Sequence, residues 1–178
     1  MEDKVETAKN YREAAERGDA QAQYQLGLLY SGGQGGAQNH AEAVAWFRKA
    51  AEQGAAASQY RLGRAYARGL GVERNIDEAL KWLRKAAEKG DSDAQFMLGG
   101  MYIKGQGVTK NYGTAYMWIA FSLSKSDPTS PAYTARVAVR DGLSRLMASP
   151  QIAKAQRQAK NWEDTRQALM KPGEDKNI

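Results

Sequence analysis

The stretch AAASQYRLGRAYARGLGVERNIDEALKWLRKAAEKG, residues 55–90, recurs on both sides of itself. Moved back by 36 positions it meets Tyr24, Leu26, Gly27, Tyr30, Gly33, Gly35, Asn39, Ala43, Trp46, Ala50, Ala51 and Gly54. Moved forward by 36 it meets Phe96, Leu98, Gly99, Tyr102, Gly105, Gly107, Asn111, Ala115 and Trp118. An unbroken period of this length, filled with helix formers, marks an α-solenoid built from helix pairs.

Each half of the repeat has its own helical face. Gln59, Leu62, Gly63 and Tyr66 share one face of a first helix, whose small residues let a neighbour approach closely. Ala79, Trp82, Leu83, Ala86 and Ala87 stripe a second helix. Gly69 and Gly71 lie between them, where the chain needs positive φ. Asn75 is an N-cap with Glu78 three places on, as in a capping box; Asn39 with Glu42 repeats the device, and Asn111 with Thr114 keeps half of it. Gly18, Gly54 and Gly90 each fit the left-handed position just past a helix end.

These residues carry a resemblance. The pattern A-x-x-Q-Y-x-L-G-x-x-Y-x-x-G-x-G-V-x-x-N-x-x-x-A-x-x-W-x-x-K-A-A-E-x-G resembles the Sel1-like repeat, a relative of the tetratricopeptide repeat, over roughly residues 20–122. The glycine pair in the inter-helix loop and the terminal A-A-E-x-G separate it from ordinary 34-residue repeats. Gly36 departs from the pattern's Val, which implies a looser loop, and Ser122-Leu123-Ser124 replaces A-A-E. The resemblance implies an all-α, right-handed α-solenoid whose first helices line a concave side. It also implies a bacterial adaptor for signalling, envelope assembly, host interaction or toxin neutralisation.

The expected organisation is one domain over 1–178: a capping helix at 7–19, repeats at 20–54, 55–90 and 91–124, a capping helix pair at 130–170, and a disordered tail at 171–178. Residues 1–6 are expected to fray. All four prolines follow residue 127, which marks the end of the repeats. Ser130-Pro131 and Ser149-Pro150 read as helix starts. Ala132, Ala135, Val139, Leu143 and Leu146 stripe the first capping helix, and Ile152, Ala155, Ala159, Trp162 and Leu169 stripe the second.

The absence of cysteine removes disulfides and thiolate chemistry. No stretch approaches the roughly 20 apolar residues that span a bilayer. No apolar signal region follows Met1, so the chain as written reads as cytoplasmic, and as periplasmic or secreted where a leader has been removed. The net charge of +6 is uneven: −2 over 1–54, +4 over 55–90, zero over 91–120 and +4 over 121–178. A basic middle and end favour an acidic protein partner.

Catalytic constellations are missing. His40 is the one histidine and falls in the first turn of a helix, where an exposed surface role is expected; it makes neither a metal site nor a triad. Ser31-Gly-Gly-Gln-Gly-Gly36 lacks the Lys-Ser/Thr of a phosphate loop and aligns with the other inter-helix loops. The recurring aromatic positions read as core, since equivalent residues meet between successive units.

What varies among the units is the exposed face of the first helices. Arg61, Arg64 and Arg68 form a stripe opposite Leu62, Gly63 and Tyr66. The equivalent positions are Gln25, Leu28 and Gly32 in the preceding unit and Met97, Gly100 and Lys104 in the following one. Gln25, Leu28, Arg61, Arg64, Arg68, Met97 and Lys104 are therefore the candidate partner-binding residues, offering guanidinium forks to carboxylates beside apolar contacts. The expected function is a monomeric, non-enzymatic scaffold without cofactor or metal that holds an acidic protein in its groove. Nucleic-acid binding is the alternative that a pI near 9.5 permits.

Overall fold

The computed structural model describes residues 2–33, 37–124 and 126–170. Among these the backbone forms helices and no strand: α1 (Glu2–Glu16), α2 (Ala20–Gly32), α3 (His40–Glu52), α4 (Ala56–Arg68), α5 (Ile76–Glu88), α6 (Ser92–Lys104), α7 (Tyr112–Ser124), α8 (Pro131–Ser144) and α9 (Ser149–Met170). From α1 to α7 each helix packs on the next along the chain, and α7 then receives both α8 and α9. This is an α-solenoid.

Glycines in α2, α4 and α6 bring the two helices of each pair together. A β-carbon on Gly27 would lie 2.5 Å from the Phe47 ring, and one on Gly99 would lie 2.6 Å from Ile119. The leucine just before each, Leu26, Leu62 or Leu98, is buried in the same seam. Burying each such side chain stabilises the fold by about 1.5–3 kcal/mol.

Successive units are joined by hydrogen bonds that explain the invariant glutamine of the repeat. Gln23, Gln59 and Gln95 are buried, and their Nε2 atoms donate to the carbonyls of Ala15, Ala51 and Ala87 at 3.1, 3.0 and 3.0 Å. Those carbonyls sit at helix ends closed by Gly18, Gly54 and Gly90, with φ of 97°, 95° and 89°. Gly54 N–H donates to Ala51 and Ala55 N–H to Ala50, the paired bonds of a Schellman turn. The inter-helix loops also dock. A β-carbon on Gly71 would stand 2.2 Å from the His40 carbonyl, and one on Gly107 would stand 2.4 Å from Ile76 Cγ2.

Several local expectations need correction. The capping boxes are only half built: Asn39, Asn75 and Asn111 accept from the first-turn amides. Their own N–H groups donate to Tyr30, Tyr66 and Tyr102 carbonyls at 2.9, 3.0 and 3.0 Å, so no carboxylate is needed there. The first helix starts at Glu2 rather than at residue 7, and runs through residues expected to fray.

At the C-terminal end, Ala132, Ala135 and Leu146 are exposed, whereas Arg136, Leu143 and Met147 are buried. Arg136 turns inward because its head finds acceptors there: Nη1 donates to the Ser122 carbonyl at 3.0 Å and to Ser126 Oγ at 2.7 Å. Ser130 caps α8 with Pro131 in the first turn. In α9 the cap position falls on Ala148, whose N–H donates to Gln151 Oε1 at 2.9 Å, so Ser149 lies inside the helix. Trp162 of α9 stacks against Phe121 and Trp118 of α7, at centroid distances of 4.5 and 5.8 Å. The tail at 171–178 and the departure at Gly36 lie outside the described residues, as does the side chain of Leu169.

Candidate functional site

The first helices of successive units, α4 and α6, meet α8 around a groove of about 620 Å³. Its floor carries Tyr60, Phe96 and Met97, all half-buried. Arg64, Arg68 and Lys104 stand around this floor. Of these, Arg68 and Lys104 are exposed and Arg64 is half-buried.

Among the described residues the one carboxylate in the groove, Asp93, is held by the buried Arg136, so it does not neutralise the other three cations. Among the described residues, neither Arg64, Arg68 nor Lys104 has a carboxylate within ion-pair distance. Arg136 also lies 5.5 Å above the Phe96 ring, fixing the wall where α6 and α8 meet. Close by, burial pushes the Asp91 carboxyl above its usual range, against the opposing hydrogen bond from Ala94 N–H.

The candidate residues divide. Arg64, Arg68, Met97 and Lys104 share the groove. Arg61 does not: it lines a separate cavity of about 260 Å³ between α3 and α4, to which Arg64 also contributes. Gln25 and Leu28, half-buried on α2, border neither space. His40, expected at an exposed position, is instead half-buried, because the loop at Gly71 packs onto its backbone. The side chains overlooked in the sequence are Arg136 and Asp93, whose pairing spans two helices far apart in the chain.

The aromatic ladder is core to different degrees. Trp82 and Tyr66 are buried, whereas Trp46, Trp118, Tyr30, Tyr102, Tyr24, Tyr60 and Phe96 are half-buried. Arg48 donates to Tyr66 Oη at 2.7 Å and Lys85 Nζ lies over the Trp82 ring, 4.5 Å from its centroid, so basic side chains cover both rings. Among the described residues no group of His, Asp or Glu could hold a metal ion. No described helix is long and apolar enough to cross a membrane.

Residues 20–54, 56–91 and 92–122 match the model of the Sel1 repeat. Among solved structures, a protective antigen present in uropathogenic Escherichia coli strains and displaying an SLR fold is 32% identical, with a TM-score of 0.77. That match covers 93% of this chain and 36% of the antigen's chain. A Sel1 repeat protein from Oxalobacter formigenes is 41% identical with a TM-score of 0.64, over 68% of this chain and 49% of its own. The chain thus spans a third to a half of the length of these relatives. Among curated proteins none matches it.

Proposed function

Because the chain belongs to the Sel1 repeat family, we propose that it is a non-enzymatic scaffold that binds an acidic segment of a partner protein in the groove between α4, α6 and α8. Sel1 repeat proteins generally mediate protein–protein interaction. The observation that carries the finer reading is the set Arg64, Arg68 and Lys104, without carboxylate partners among the described residues, around an apolar floor. Guanidinium forks take carboxylates bidentately, and Phe96 and Met97 give an adjoining side chain somewhere to bury. Both solved relatives are bacterial proteins, which supports a bacterial adaptor. A rigid concave surface of this kind suits binding rather than chemistry.

Peptide display on the wild-type protein tests this. Enriched sequences should pair Asp or Glu with an apolar residue, and should be lost when Arg64, Arg68 and Lys104 are reversed to Glu. Binding should weaken with salt, since exposed charges are screened over about 8–10 Å. Enrichment indifferent to the three reversals sinks the groove reading. Single-stranded DNA binding with a steeper salt dependence than any peptide would favour the nucleic-acid alternative instead.

A further inference from the structure

The cavity of about 260 Å³ between the first and second units has its own chemistry. Its inner wall is apolar: Val44, Phe47 and Ala65 are all buried core residues. Among the described residues its polar lining is basic, with His40, Arg61 and Arg64 and no carboxylate. Two other polar residues in the lining are already engaged: Ser31 Oγ donates to the Leu28 carbonyl at 3.0 Å, and Gln38 Nε2 donates to the Ser31 carbonyl at 2.6 Å. The start of α3 is also taken, since Asn39 Oδ1 accepts from Ala41 and Glu42 N–H. The donors that remain are side chains, the guanidinium groups of Arg64 and of Arg61, whose Cζ also lies 5.9 Å from the Tyr60 ring centroid. Neither has a carboxylate partner among the described residues.

We propose that this cavity is a binding site for a carboxylate carried on a short apolar stem. The Val44, Phe47 and Ala65 wall takes the stem, and Arg61 and Arg64 hold the charge. The volume is below the ~300–1,000 Å³ of ordinary small-molecule pockets, so it admits one group of side-chain size. Apolar burial alone is non-directional and accepts any stem. The two arginines add the discrimination, because a charge-assisted hydrogen bond is about twice as strong as a neutral one. The site goes beyond the groove reading: the two spaces share Arg64, but Arg61 lines only this cavity, and Arg68 and Lys104 line only the groove.

The probe is 4-phenylbutyrate, with 4-phenylbutanamide as the same stem without charge. Because His40 is the only histidine in the chain, its ring-proton NMR signals are unambiguous and report from the cavity lining. Phenylbutyrate should move them saturably, and the amide should bind about tenfold more weakly or worse, the weight of one hydrogen bond to a charged group. Arg61→Gln should weaken phenylbutyrate by a similar factor. Arg61→Lys should weaken it too, since the charge stays but the planar fork is lost. Arg68→Gln should leave it unchanged. Unmoved His40 signals overturn the proposal, as does an amide that binds as well as the acid or an Arg61→Gln variant of wild-type affinity. Inorganic phosphate matching phenylbutyrate would overturn it as well, since the stem would then contribute nothing. None of these outcomes touches peptide selection by the groove.

Discussion

A β-carbon on Gly63 would lie 2.8 Å from Leu83 Cγ and 3.2 Å from the Ala79 carbonyl oxygen. This contact is where α4 rests on α5, and it sets opposing effects against each other. Gly→Ala in a helix interior gains up to about 1 kcal/mol of helix propensity. Overpacking a filled seam costs about 1–3 kcal/mol, and here the obstacles are a branch carbon and a backbone oxygen, neither of which can swing away. Gly63→Ala should therefore lower stability in a denaturant melt. Gly142 in α8 has nothing within 4 Å of where a methyl would stand, so Gly142→Ala should raise stability by about 0.5–1 kcal/mol. Equal effects of the two substitutions would show that helix propensity, not the seam, governs these positions.

The start of α4 departs twice from its neighbours. Asp19 and Asp91 cap α2 and α6 by accepting from Ala22 and Ala94 N–H, at 2.6 and 2.8 Å, whereas Ala55 has no side-chain acceptor. Its backbone, at φ −64° and ψ 110°, already matches that of the two capping aspartates at −66° and 114°. Ser58 Oγ is buried without a hydrogen-bond partner where the other units place Ala22 and Ala94. Ala55→Asp should add about 0.5–2 kcal/mol, the range measured for losing such a cap. Ser58→Ala should stabilise too, because an unsatisfied buried hydroxyl costs about 1–3 kcal/mol. A double variant that melts no higher than wild type would refute the account of both positions.

The pair Asp93–Arg136 should respond unequally to losing either member. Arg136 is 5% exposed, while the Asp93 side chain is 57% exposed. Removing the arginine leaves a carboxylate that water can reach. Removing the carboxylate leaves a buried cation with only Ser122 and Ser126 as acceptors. Breaking a buried pair from the side that strands a charge is the costlier change. Asp93→Ala should therefore destabilise more than Arg136→Met in chemical denaturation. The reverse order would show that packing of the arginine stem on Phe96, rather than its charge, matters most there.

The repeat was legible because its information is local. Asparagine caps, glycine ends and Pro131 announce helix boundaries within a few residues of where they act, so α2 to α8 fall close to their expected ends. The inward face of α8 was not legible. Ala132 and Ala135 fit an apolar stripe, yet nothing packs on a short methyl there, and Arg136 wins the inward position through acceptors on α7. A hint existed at Ser122, which replaces the alanine of the earlier units and whose carbonyl receives Arg136. The division of the arginine stripe between two spaces was equally hidden. Spacing along one helix gives direction, but the cavities are shaped by α3 on one side and by α6 and α8 on the other.

Asp91 gives a pH-dependent test. Its carboxyl is pushed up by burial, and the hydrogen bond from Ala94 N–H and the charge of Arg136 only partly offset this. A group that binds its proton more tightly in the folded state favours folding when protonated, and that contribution is lost as pH rises through the folded pKa. At neutral pH the ionised Asp91 therefore carries a desolvation cost. Asp91→Asn removes the charge and keeps an oxygen for Ala94 N–H, and Asn equals Asp as an N-cap. Asn39, Asn75 and Asn111 already do this at three other helices. The variant should be more stable than wild type at neutral pH, and the gap should close as pH falls through the raised carboxyl range. Thermal melts at a series of pH values read this directly. A gap that widens on acidification would mean that the negative charge at the start of α6 stabilises the fold, and that burial is not the dominant influence on this carboxyl.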